Sequence, residues 1–542
     1  MSKKIPFKSL VLCGLICCFS MRSLAQTDYR NYQQLTTKLK SLQSKYPSLA
    51  KLTSLTKTAG GYDIWSLTLS KGDPSSHPGI AIVGGVDGSR VLTVEMAVNM
   101  AEQLLTKHPD LLAKTSFYIF PDMSPKASES YHAALKYERQ ANSRSTDDDR
   151  DGVADEDPFE DLNKDGMITM IRVEDPTGDY VKLKEDERIM VKADVKEGDM
   201  GSYKIYTEGI DNDKDGAFNE DGPGGINFNN NMTYAYPYFT PGAGEHSVSE
   251  KENRALLDFL YEQWNIYAIL TLGPSNNLSA PLKYNASGAK KRVVTSILKK
   301  DEVLNSYLSK KYNKIIGTKD APKYSEQPGG FFEWSYFHFG RLAMGTPGWW
   351  PPKFKGDSIV KAAKNMDANN LQWAAQQNIA NYFVDWTAVD HPDFPGKKVE
   401  VGGIAPYVMT TPSYDQVAEI SEKHTDFIVA VAEMQAKIKL ENITVESVNN
   451  SLTRITLQVH NKGYLPTHTE MGERSRWLRN ILINVDVNKN QEIISGKKTQ
   501  MIGSLPGDGS QTFTWLIKGK GSVEISAGAS HTGTDKTTVK LK

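Results

Sequence analysis

Gly79-Ile80-Ala81-Ile82-Val83-Gly84-Gly85-Val86-Asp87-Gly88 is a short apolar run that ends on two glycines and an aspartate. The run is too short for a helix and does not alternate apolar with polar, as expected of a strand covered on both faces. Phe117 to Phe120 and Ile266 to Leu272 have the same character. Helical patterns lie between these runs. Val91, Val94, Val98, Ala101 and Leu105 mark one, and Ser249-Glu250-Lys251-Glu252 reads as a capping box ahead of Leu256, Leu257 and Leu260. Upstream, Leu35, Leu39, Leu42 and Tyr46 mark an amphipathic helix that begins at Tyr32 and closes at Pro47. Strands alternating with helices predict an α/β fold, an αβα sandwich around a mixed, largely parallel sheet.

A helical stretch from Tyr414 to about Ile438 is followed by a change of period. Apolar residues now alternate at Ile443/Val445, Ile455/Leu457/Val459, Ile483/Val485/Val487, Phe513/Trp515/Ile517 and Val523/Ile525, with turns such as Asn461-Lys462-Gly463 between them. Period two with Gly and Asn punctuation predicts a small C-terminal all-β sandwich over 438–542. The α/β domain then occupies 26–437, consistent with a chain of 542 residues being too long for one core.

Lys plus Arg at 64 nearly balances Asp plus Glu at 65, and no long basic run is present, which argues against a nucleic-acid partner. The first residues read Met-Ser-Lys-Lys, then an apolar stretch around Leu10 to Phe19, then Ser23-Leu24-Ala25, the layout of an export signal over 1–25. All three cysteines, Cys13, Cys17 and Cys18, fall inside it, so a mature chain would carry no thiol and no disulfide. No later apolar run is long enough for a transmembrane segment. An exported, periplasmic or secreted protein is the expectation.

The acidic residues are clustered in loops at 147–176 and 211–222. The first carries Asp147, Asp149, Asp151, Asp155 and Glu156, and then Asp161, Asn163 and Asp165. The second carries Asp211, Asp213, Asp215, Asn219 and Glu220. Each motif places oxygen-bearing side chains at alternate positions with Gly at position six, which lets a tight loop turn oxygens toward a hard cation. Position twelve is Pro158, Arg172 or Gly222 rather than a bidentate Glu. Structural calcium, without a switching role, is the expected cofactor; the alternative is a solvated acidic loop held by Lys and Arg.

Several pieces in order carry a family resemblance: Gly84-Gly85-Val86-Asp87-Gly88 after a strand, Asp161-Leu162-Asn163-Lys164-Asp165-Gly166, Asn227-Phe228-Asn229-Asn230-Asn231, the Ser249-Glu250 helix start, Thr271-Leu272 ending a strand, and Gly329-Gly330-Phe331-Phe332-Glu333-Trp334-Ser335-Tyr336. Over roughly Tyr29 to Gln435 the chain resembles the zinc metallocarboxypeptidases of the carboxypeptidase A type, as a degenerate bacterial member with acidic Asp-Gly insertions. The resemblance implies a carboxypeptidase-like fold. It also implies a metal motif of the form Gly-Gly-x-His-x-x-Glu, whose ligand positions fall on Asp87 and Arg90. The third ligand falls on Gly273, the general-base Glu on Pro347 or Gly348, and the carboxylate-binding Asn-Arg pair on Asn229 and Asn230. Arg139 or Arg144 would match a further arginine of the site.

An aspartate, an arginine and a bare glycine cannot hold a catalytic zinc, so zinc is not expected and no catalytic residue is assigned. The implied function is that of a pseudopeptidase whose former cleft, lined by Asp87, Arg90, Asn229, Asn230, Gly273, Asn276 and Trp349, binds a peptide, glycan or protein. Asp87 and Arg90 read as a salt bridge in the old metal pocket, with a ligand-gripping pair as the alternative. His338 reads as a packed histidine rather than a base. Two other readings stay open: an active metallopeptidase using Asp87 with histidines such as His132 or His246, and a calcium-stabilised structural or surface-assembly protein.

Overall fold

A computed structural model describes residues 26, 28–147, 152–155, 157–214, 216, 218–219, 224–354 and 365–542. The export-signal reading of 1–25 lies outside them.

The run that opens the argument is a strand, Gly79–Val83, buried at every residue. It lies inside a six-stranded sheet ordered Ala50–Lys57, Asp63–Leu69, Ser116–Phe120, Gly79–Val83, Ile266–Leu272, Leu342–Thr346. The last four strands are mutually parallel and the first two pair antiparallel, so the sheet is mixed. Side chains alternate across it: Ile80 and Ile82 join the core on one face, Ala81 and Val83 the core on the other. The first face is covered by the helices Tyr32–Lys45, Val91–Lys107, Lys299–Ile316 and Val417–Glu433. The second is covered by Lys251–Glu262 and Phe331–Phe337. This is the expected αβα sandwich.

The helix start at Asn31 forms a true capping box with Gln34. The box expected at Ser249-Glu250-Lys251-Glu252 does not form; Glu250 is the cap residue and makes no side-chain capping bond. The reason is long-range competition. Asn231 donates to the Ser249 hydroxyl at 3.0 Å, and Asn142 donates to Glu252 at 2.8 Å.

A second six-stranded sheet, wholly antiparallel, was not anticipated. Its order is Phe383–Val389, Val399–Ile404, Met170–Glu174, Tyr203–Thr207, Tyr180–Leu183, Asp186–Lys192. Met170–Glu174 is the tail of the stretch read as acidic loop, and Ile171 and Val173 within it are fully buried. The sheet is built from two stretches of chain far apart in sequence, which short strands and few strong alternations conceal.

The C-terminal residues form two four-stranded antiparallel sheets, Ile438–Asn449, Leu452–Asn461, Ser510–Lys518, Glu492–Ser495 and Thr499–Ile502, Ile481–Asp486, Ser522–Ala529, Gly533–Lys540. Ile455, Leu457, Val459, Ile483, Val485, Trp515 and Ile525 point into one shared core, as their alternation predicts. Ile443 does not: a bulge between Glu441 and Thr444 shifts the register and leaves it 37 % exposed. The sandwich is tied to the α/β part through Asp301, whose carboxylate accepts the Glu470 and Met471 amides at 2.7 and 3.0 Å.

Candidate functional site

The turn after Gly79–Val83 is close-packed. A Cβ on Gly84 would stand 2.6 Å from the Pro121 carbonyl, and one on Gly85, whose φ is +59°, 2.4 Å from Asp122 Oδ1. The turn delivers Asp87 to the start of the helix Val91–Lys107, where Arg90 is the cap residue. Asp87 Oδ1 accepts the Ser89 amide at 3.1 Å and the Ser89 hydroxyl at 2.7 Å. Asp87 Oδ2 lies 3.3 Å from Arg90 Nε, an ion contact without hydrogen-bond alignment.

Gly273 directly follows the strand Ile266–Leu272, and its amide donates to the Thr346 carbonyl at 3.0 Å. A Cβ there would stand 2.3 Å from Val86 Cγ2. Pro347 and Gly348 follow the strand Leu342–Thr346; Gly348 has φ +78°, and a Cβ on it would stand 2.3 Å from Met96 Sδ. At both positions apolar side chains of the chain itself occupy the space a functional side chain would need. Of these positions only Asp87 bears a metal-donor oxygen, and Ser89 and Arg90 engage both its oxygens. Tetrahedral zinc takes three protein donors, so this donor set does not fit a zinc ion. Among the described residues no three His, Cys, Asp or Glu side chains converge as a metal site would.

The remaining cleft residues are held by internal bonds. Asn229 Oδ1 accepts the Phe331 amide at 2.9 Å, and Asn276 donates to the Pro322 carbonyl at 2.8 Å. Asn230 is half-buried, and its backbone passes so near Gly329 that a Cβ there would meet the Asn230 carbonyl at 2.2 Å. Trp349 lies 6.0 Å from Trp373, on the wall of a cavity of about 820 Å³ that Tyr29, Tyr131 and Tyr414 also line. Arg139 spends its guanidinium on the backbone carbonyls of Ala141, Asn142 and Gly224, and Arg144 pairs with Glu245 and Glu250. His338 is bonded to Thr233 Oγ1 at 2.7 Å, and burial lowers its pKa. His132 is exposed, and His246 bonds the neighbouring Ser247 carbonyl at 3.0 Å.

Two acidic residues near the turn had no motif to announce them. Asp122 is wholly buried, and burial raises its carboxyl to about 7 despite bonds from the Ser124 amide and the Ser128 hydroxyl. Glu138 is also raised, by desolvation first and by the Asp87 charge, while Arg90 opposes the shift. Its carboxylate accepts the Tyr407 amide at 2.6 Å, and Thr410 donates to the Ser89 carbonyl at 3.1 Å. The segment from Tyr407 to Thr410 thus lies over the Asp87 turn.

In the acidic loops a single geometry recurs. The position-one aspartate accepts the amide of the position-six glycine: Asp147 from Gly152 at 3.1 Å, Asp161 from Gly166 at 2.8 Å, and Asp211 from Gly216 at 3.1 Å. The three glycines have φ of +101°, +83° and +97°, which explains why glycine stands there. Within the Asp161 motif the Asn163 side chain accepts the Asp165 amide at 3.0 Å, and Asp165 accepts the Met167 amide at 2.8 Å. Asp155 accepts the Ser145 hydroxyl, Asp213 lies in the 211–222 loop, and Asn219 donates to the Thr207 carbonyl at 3.3 Å. Asp157, fully buried, joins the 147–176 loop to the 211–222 loop by accepting the Asn212 amide at 3.0 Å. Asp149, Asp151, Glu156, Asp215 and Glu220 lie outside the described residues.

Residues 35–353 match the family model described as zinc carboxypeptidase, and 437–540 match a domain of unknown function (DUF8731). The first match spans more than half of the chain, and the chain belongs to the zinc carboxypeptidase family. Carboxypeptidase D of Anas platyrhynchos is 30% identical over 110 residues, 19% of this chain and 8% of the relative. Carboxypeptidase D of Homo sapiens is 30% identical over 116 residues, 20% of this chain and 8% of the relative. The chain therefore matches under a tenth of the length of these relatives. Among solved structures, carboxypeptidase A from Helicoverpa armigera aligns over 65% of this chain and 73% of its own, with 12% identity and a TM-score of 0.39.

Proposed function

We propose that the protein is an exported, non-catalytic member of the zinc carboxypeptidase family, a pseudopeptidase that binds a peptide, glycan or protein ligand. One observation carries the reading: the positions of the metal ligands hold Asp87 paired with Arg90 and a Gly273 whose side-chain space is taken by Val86. A guanidinium in the metal pocket repels a dication, and without a metal no water is brought to a pKa near 7 for attack on a peptide bond. At Gly348 a Cβ would stand 2.3 Å from Met96 Sδ, so a general-base carboxylate there needs Met96 to move. The test is elemental analysis of the purified protein together with hydrolysis assays on N-acylated dipeptides ending in Phe, Lys or Glu. Substoichiometric zinc and no turnover are expected; one zinc per chain with chelator-sensitive hydrolysis overturns the reading.

Structural calcium in the acidic loops is part of the same proposal. The recurring aspartate-to-glycine bond supports it, because it shapes each loop as a calcium loop is shaped. Calcium is expected to raise the melting temperature and Asp161→Ala to reduce that rise; an identical melt in calcium and in chelator counts against it.

A further inference from the structure

A cavity of about 680 Å³ opens against the second, antiparallel sheet, and each of its strands contributes to the wall. That volume suits a small ligand or one large side chain. Eight of the twenty residues that line the wall are aromatic or thioether: Tyr137, Phe159, Tyr180, Phe383, Trp386 and three methionines. Two carboxylates interrupt it, Glu138 from the loop before the sheet and Asp367 from the first turn of the helix Met366–Gln376. Neither is in an ion pair among the described residues. Among the described residues the Glu138 carboxylate accepts one hydrogen bond, from the Tyr407 amide at 2.6 Å. Desolvation raises both carboxyls above their ordinary range, and at Glu138 the Arg90 charge offsets this only in part.

The cations close by are already committed: Arg90, whose charge reaches Glu138, is paired with Asp87 at 3.3 Å. Arg188, on the wall, makes two bonds to Asp186 at 2.9 and 2.7 Å. Arg172, behind Trp386, is bonded to Glu400 at 2.8 Å. Both also show how this sheet treats cations: Arg172 stacks 4.3 Å from the Trp386 ring and Arg188 lies 5.6 Å from Phe383. A hard metal ion would find too few oxygens among rings and sulfurs. An organic cation gains from the carboxylates and from the apolar wall together.

We propose that this cavity binds an organic cation, a primary ammonium or guanidinium group seated between Glu138 and Asp367 against the aromatic wall. The cation comes either from a free amine or from a Lys or Arg side chain of a peptide. Neither Glu138 nor Asp367 is one of the zinc-ligand positions, although the Asp87 and Arg90 charges reach Glu138, so the zinc analysis and the cation test fail or succeed independently.

Titration calorimetry on the full chain tests it, with 1,5-diaminopentane and agmatine in one arm and N-acetyl-lysine amide and N-acetyl-arginine amide in the other. Saturable binding in either arm supports the proposal, and the arm that binds identifies the source. Glu138→Gln keeps an oxygen for the Tyr407 amide and, like Asp367→Asn, should weaken binding at least tenfold with an unchanged circular dichroism spectrum. The uncharged 1,5-pentanediol should not bind. The proposal is overturned if no cation in either arm binds, if the diol binds equally well, or if the folded double variant binds as the parent does.

Discussion

Val86 and Gly273 are complementary: the valine Cγ2 lies 2.3 Å from where a Cβ on the glycine would be. Both are buried, with Val86 1 % exposed. The pair closes the space between the first strand's turn and the end of its parallel neighbour. Any side chain at Gly273 therefore needs a change at Val86.

Gly273→Ala is expected to destabilise the protein by about 1–3 kcal/mol, the usual cost of overpacking a filled core. Val86→Ala in the same chain should recover part of that loss, since the two sites share one volume. Denaturant melts of the two single variants and the double variant measure the coupling. Strict additivity would mean that the two residues do not compete for the space.

Restoring ligands one at a time should fail. Asp87→His with Arg90→Glu removes the guanidinium and supplies two donors, but leaves Gly273 bare, one short of the three a tetrahedral site takes. Dialysed protein of this double variant should still hold zinc below stoichiometry. Adding Gly273→His together with Val86→Ala is the smallest set expected to raise zinc retention, read by elemental analysis without reference to activity.

His424 makes acid a specific stress. Its Nδ1–H donates to the Ile420 carbonyl at 2.7 Å and its Nε2 accepts from the Tyr312 hydroxyl at 2.9 Å, so the buried ring is neutral. Burial lowers its pKa from 6.5 to about 4. A depressed folded-state value means that the stability it supports is present above pH 6.5 and is lost as pH falls toward 4. At 1.36 kcal/mol per unit the loss is about 3 kcal/mol. Stability measured between pH 7 and pH 4 should fall less steeply in His424→Gln; equal slopes would show that another group governs the acid limb.

Arg172 anchors the second sheet. It is 5 % exposed, bonded to Glu400 and stacked on Trp386. Arg172→Met should cost about 1–3 kcal/mol, because it removes a hydrogen bond to the Glu400 carboxylate, which Lys398 at 3.3 Å still pairs. Arg172→Lys should recover little, since an ammonium cannot make the same planar stack and side-on bond. Hydrogen exchange at the amides of 170–207 and 383–404 gives a local readout of whether the sheet or the whole chain has loosened.

The sandwich of helices around Gly79–Val83, Phe117–Phe120 and Ile266–Leu272 was legible without coordinates, because strands buried on both faces are written as unbroken apolar runs. So was the C-terminal sandwich, whose inward faces alternate at Ile455/Leu457/Val459 and Phe513/Trp515/Ile517. The residue types at Asp87, Arg90 and Gly273, the positions the family resemblance assigns to metal ligands, were plain from the sequence alone. What no local pattern contained was long-range. The antiparallel sheet joins 170–207 to 383–404. Only packing reveals that Val86 fills the space beside Gly273, or that Ser249 and Glu252 are drawn from a helix cap by Asn231 and Asn142. Glu138 and Asp367 lie 229 residues apart, and only the folded chain brings them to one cavity. Periodicity encodes which face of an element is buried; which two elements meet is decided by the packing of the whole.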